Sequence, residues 1–144
     1  MTRLTLDQAS VIIDTTLDTA HKKGFRPLTV VVIDDGGNLK AMKREDGPGA
    51  PLRPQIAFGK AFGAVGFGVP SRLVEKRALD RPHFMSAISD VSGGRVVPVA
   101  GGVLIRDGDG EIIGAVGVSG DASDNDALCA VAGIEAAGLT ADDG

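Results

Sequence analysis

LTVVVIDDGGNLKAMKRE, residues 28–45, is the stretch that decides the fold. A β-branched run over residues 28–33 meets Asp35, Gly36 and Gly37, which tolerate the positive φ of a tight turn, and residues 38–45 can return as a partner strand. This is a β-hairpin, and a hairpin imposes antiparallel pairing. A second hairpin signal lies downstream, where apolar strands over 99–106 and 111–118 flank Asp107, Gly108, Asp109 and Gly110.

Helices occupy the rest. Over residues 5–23, Leu6, Ala9, Ile13, Leu17 and Ala20 fall within about 80° of one another on a helical wheel, an amphipathic stripe. Thr5 with Gln8 has the form of a capping box, and Gly24 is the stop. Residues 46–54 hold three prolines and two glycines and read as an ordered loop of the kind that borders sites. Residues 55–67 read as a helix, Pro70 opens another that runs to Leu79, and 81–89 add a short one closed by Ser92, Gly93 and Gly94. Ser123 or Asp124 caps a last helix carrying Leu128, Val131, Ala132 and Ile134. The order predicts an α+β domain, an antiparallel sheet with helices packed on it, rather than a doubly wound parallel sheet.

Composition narrows the function. At 144 residues the chain is one domain, and 43% apolar with 24% charged residues excludes the disordered classes. Fifteen basic against nineteen acidic residues, with no basic stripe, argue against a nucleic-acid partner. The longest apolar run, residues 127–132, is far below the roughly 20 residues that span a bilayer, and no leader pattern opens the sequence. The single Cys129 makes no internal disulfide and no thiolate zinc site, so a reducing, cytoplasmic setting is expected. With no Trp or Tyr, five Phe and 21 Gly, the core must form by close approach of backbones.

Several stretches together resemble one family. VVIDDGGNL (31–39), followed by Lys43, Arg44, Glu45, Asp46 and Gly47, is similar to its first hairpin signature. Ala57, Lys60 and Ala61 resemble its AxxKA helix, and GGVLI (101–105), DGE (109–111) and IGAVGVSG (113–120) resemble its closing strands. The family is the GlcG-like or HbpS-like, haem-degrading domain group, which also includes the C-terminal domain of some corrinoid adenosyltransferases. The chain departs from its pattern after GVSG, where Asp121, Ala122 and Ser123 replace the usual Gly and Thr. The resemblance implies a profilin-like sheet of four to five strands, assembly into homo-oligomeric dimers or larger rings, and, for some members, binding of haem or related tetrapyrroles.

The residues offer few groups for chemistry. A haem iron takes His, Cys, Met or Tyr as axial ligand, and only two histidines exist. His21 falls about 80° from the centre of the first helix's stripe, at its flank, where it can meet a flat ligand; a helix-end histidine beside the C-terminal dipole has the same position. His83 is framed by Arg77, Asp80 and Arg81 and suits a general acid or base, or a plain interface histidine. Arg44 has the forked donors for a carboxylate, Lys60 adds a point charge and Asp46 a proton acceptor, unless the three form an internal ion-pair cluster.

Gly59, Gly63 and Gly66 share one helix side, at a cost of about 1 kcal/mol each, and so imply a close neighbour or a planar ligand. Asp121, Asp124 and Asp126 are explained by helix capping rather than by a metal, and Cys129 reads as a small buried residue. The leading expectation is a binding protein for haem or another tetrapyrrole, with His21, Arg44 and Lys60 as ligand contacts. The alternative is a cofactor-free enzyme on a small organic acid, with Arg44 and Lys60 orienting the carboxylate and Asp46 or His83 moving a proton. A purely structural oligomer subunit is the third.

Overall fold

The computed structural model describes residues 2–144. The chain runs α1 (Leu6–Lys22), β1 (Thr29–Asp34), β2 (Leu39–Arg44), α2 (Arg53–Phe67), α3 (Ser71–Asp80), α4 (Pro82–Val91), β3 (Gly102–Arg106), β4 (Ile112–Ser119), α5 (Ser123–Ala136) and β5 (Thr140–Asp142). The five strands form one antiparallel sheet in the order β2-β1-β4-β3-β5. Both expected hairpins are present, β1 with β2 and β3 with β4.

Alternation along the strands explains the layers. Val30, Val32, Val103, Ile105, Val116 and Val118 turn to one face and pack with Ile12, Ile13, Ala20, Ala127, Ala130 and Ile134 of α1 and α5. Val31, Ile33, Leu104 and Ala115 turn to the other, under Ala57, Ala61 and Ala64 of α2. β1 is therefore buried on both sides and reads as a continuous apolar run rather than an alternating one.

The helix α2 lies on the sheet backbone itself. A methyl group on Gly117 would overlap the Ala57 carbonyl, and one on Gly102 would overlap the Lys60 carbonyl. The glycine stripe of α2 has a matching cause: Gly59 and Gly63 face Val97 and Val96 of the segment that crosses the helix, and the Val97 amide donates to the Gly59 carbonyl at 3.1 Å. Gly66 has open space beside it. Polypeptide, rather than a planar ligand, fills the first two positions.

Several elements differ from expectation, and α2 starts at Arg53, inside the expected 46–54 loop, with Pro54 in its first turn. β3 begins at Gly102 because the Val99 carbonyl accepts from the Ser71 hydroxyl and the Ala100 amide donates to Glu75, which removes both from the ladder. β5, too short to show a pattern, is a strand because it pairs with β3. α5 has Ala122 as its N-cap and no side-chain cap, since Asp124 turns to Arg72 at 2.7 Å and Asp126 turns inward.

The stripe yields a paired test. Gly59→Ala should cost about 1–3 kcal/mol, because the methyl group meets the packed 95–97 segment. Gly66→Ala should gain up to about 1 kcal/mol of helix propensity. Urea midpoints of the two variants should move in opposite directions.

Candidate functional site

The end of α1 is a Schellman motif: the Phe25 amide donates to the Ala20 carbonyl at 3.0 Å and the Gly24 amide to the His21 carbonyl at 3.1 Å, with Gly24 at φ 69°. His21 therefore sits on a fixed last turn, and its side chain is 74% exposed. Its Nε2 meets Glu45 Oε2 at 2.5 Å. Glu45 is only 12% exposed and is held from elsewhere, with Oε1 accepting from the Leu28 amide at 2.8 Å and its own amide donating to the Leu28 carbonyl at 2.9 Å.

Around this pair lies an open cleft of about 460 Å³ lined by Leu17, His21, Lys43, Arg44, Glu45 and Asp46. Three expected site residues, His21, Arg44 and Asp46, thus come together. Lys43 pairs with Asp14 at 2.8 Å, both more than half exposed, a contact worth at most about 1 kcal/mol and so easily exchanged for another anion. A carboxylate on one ring nitrogen of a histidine fixes the tautomer and leaves the other nitrogen's lone pair for an electrophile or metal.

Lys60 is elsewhere. Its ammonium is buried, donating to the Val118 carbonyl at 2.8 Å and to Asp126 Oδ2 at 3.2 Å. Asp126 is buried too, and its Oδ1 accepts from the Asp121 amide at 3.0 Å. Burial raises the Asp126 carboxyl to about 6, against the pull of Lys60 and the Asp121 amide. Asp121 is lowered to about 2, because its carboxylate accepts from the Arg26 amide, the Asn125 side chain and the Ala122 amide. His83 stands exposed in the first turn of α4 and lines neither place.

Two contributors escaped the sequence reading. Glu45 was visible only as part of a motif. Asp126 had a usable signal, because a lysine set among Ala, Gly and Phe on α2, with no acid along that helix, must find its counter-charge far away in sequence.

A five-stranded antiparallel sheet with α1 and α5 on one face and α2 on the other defines an α+β fold, with a histidine cleft at its rim. The chain belongs to the HbpS-like family of haem-degrading proteins, whose family model matches residues 4–135. HbpS from Streptomyces reticuli, solved as a double mutant, is 30% identical over 94% of this chain and 87% of its own, with a TM-score of 0.80. The PduOC–haem complex is similar at 21% identity over 96% and 97% of the two chains, with a TM-score of 0.84. Klebsiella pneumoniae protein ORFY is similar at 21% identity over 96% and 93%, with a TM-score of 0.83. At 21% these two share the fold. No curated protein matches the chain in sequence. Among the described residues, no helix is long and apolar enough to cross a membrane.

The buried pair sets a pH dependence. The folded carboxyl of Asp126 lies above the ordinary 3.8, so its stabilising contribution is complete below 3.8 and is lost as pH rises through about 6. Asp121 acts oppositely, contributing above 3.8 and losing its contribution as pH falls through about 2. Between pH 7.5 and 5 the wild type should gain stability relative to Asp126→Asn, read from urea midpoints at both pH values.

Removing one partner is a second test. Lys60→Met should cost about 3–5 kcal/mol at pH 7.5 by leaving a buried carboxylate uncompensated, and Lys60→Met with Asp126→Leu should recover most of it.

Proposed function

We propose that the protein binds haem or another tetrapyrrole, with His21 as the residue that meets the iron. The observation that carries this reading is the exposed His21 ring held by an anchored Glu45 at the mouth of a cleft with Lys43 and Arg44 on its rim. The residues fit the group: haem supplies an iron that takes a nitrogen donor and two carboxylates that take cations. Here His21 offers the nitrogen, Arg44 the forked donors and Lys43 a point charge, while Leu17 gives the ring an apolar edge. The family description and the haem complex of the PduOC neighbour support the same ligand class.

The small-acid enzyme reading needs Arg44 and Lys60 on one carboxylate, with Asp46 or His83 to move a proton. Lys60 is committed to Val118 and Asp126 inside the core, and His83 lies on α4, so this geometry lends that reading no support. Self-association belongs to the proposal as well. It is supported by α4, which has no buried residue, and by Leu79 and Val91, exposed at 77% and 83%. Light scattering on the purified protein reads it directly.

Haem titration followed by absorbance tests the ligand. A saturable Soret band is expected for the wild type and for His83→Ala, with loss of the band in His21→Ala. Glu45→Gln should weaken binding about 10-fold or more, the usual effect of removing a carboxylate behind a metal-ligating histidine. An unchanged spectrum in His21→Ala, or no saturable spectrum at micromolar haem, overturns the reading.

A further inference from the structure

The segment between α1 and β1 is held by side chains that arrive from three different places. Asp121, in the loop after β4, accepts from the Arg26 amide at 2.8 Å. Arg53, buried at the start of α2, donates Nη1 to the Pro27 carbonyl at 2.8 Å. Glu45, just after β2, accepts from the Leu28 amide at 2.8 Å and offers its other oxygen to His21. Residues 26–28 are thus the common support of the Glu45–His21 pair.

Asp121 is itself positioned from the core. Its amide donates to Asp126, and Asp126 is paired with Lys60, which crosses from α2 past the end of β4, where Gly101 leaves room for the lysine chain. A continuous series of hydrogen bonds therefore runs from Lys60 through Asp126 and Asp121 to the Arg26 amide, two residues from the Leu28 amide that fixes Glu45. We propose that Asp126, acting through Asp121, is a positioning residue for the His21 site. The buried pair fixes the loop at residues 120–122, that loop fixes Arg26, and the 26–28 backbone sets Glu45 against His21. This inference rests on the reading of His21 as the ligand-binding residue.

The charged and titratable groups around Asp126 are few. Lys60 faces it from α2, Asp121 from the loop after β4 and Cys129 from α5 itself, while Lys23 and Glu45 act on Cys129. β4 presents the Val118 carbonyl to Lys60. The Cys129 thiol is pushed up to about 11 by burial, while burial holds the Asp126 carboxyl at about 6. A neutral acid accepts the Asp121 amide more weakly than a carboxylate does.

The test is made first on the ligand-free protein by amide NMR. In the wild type, and equally in His21→Ala, the Asp121, Arg26 and Leu28 amides should titrate together with a midpoint near 6, and the titration should vanish in Asp126→Asn. At pH 7.5, Asp126→Asn should raise hydrogen exchange at Arg26 and Leu28 at least 10-fold while Val103 and Val116 keep their protection. Asp121→Ala breaks the relay without touching the buried pair and should do the same, which guards against a variant that fails to fold. Haem affinity at pH 7.5 should fall 3- to 10-fold in both variants.

Uniformly faster exchange across the sheet, or Arg26 and Leu28 amides that do not follow Asp126, overturns the proposal and leaves the pair as a core contact. Local loosening with wild-type haem affinity also overturns it. If the wild type binds no haem, the haem reading fails by itself, and the Leu28 amide then decides the coupling: following Asp126 supports it, and standing still sinks it.

Discussion

The near-contact of α2 with the sheet backbone is the constraint on which the rest depends. With Gly117 and Gly102 beneath it, the helix sinks until main chain meets main chain, so only alanines fit between them. The same depth draws Lys60 out of solvent, since it lies one turn from Ala57 and its side chain runs against Gly101. A buried ammonium has a desolvation cost of several kcal/mol unless it is met by acceptors, and Val118 and Asp126 meet it. A scarcity of aromatic residues, an excess of glycine and one buried ion pair therefore share one geometric cause.

Much of the fold was legible because its signals are local. The two hairpins follow from turn residues between apolar runs, and α1 follows from its stripe, its Thr5–Gln8 box and Gly24. What failed to show was set by partners distant in sequence. β5 is a strand by virtue of β3, and the missing first residues of β3 were taken by Ser71 and Glu75 of α3. Asp124 and Ser123 have the chemistry of an N-cap, yet Arg72 draws Asp124 away.

The site divides along the same line. The flank position of His21 can be computed from a helical wheel, and Arg44 and Asp46 follow it into the cleft because β2 returns beside α1. Lys60 belongs to another part of the molecule for a reason no local pattern carries: its counter-ion stands 66 residues away on α5. Family resemblance names both regions without saying that they are separate.

Glu45 is what distinguishes the His21 cleft from an ordinary surface ion pair. An exposed pair that both partners must order themselves to form contributes at most about 1 kcal/mol, much of it lost to side-chain entropy. Glu45 pays no such cost for His21, because the Leu28 backbone has already fixed it and Arg53 and Asp121 have already fixed the neighbouring backbone. Three elements thus converge to orient one carboxylate whose free oxygen points at an exposed ring. Folding stability gains little from that arrangement. A ligand that needs the imidazole in one tautomer and one direction gains the whole of it, since the ordering cost is met before it arrives.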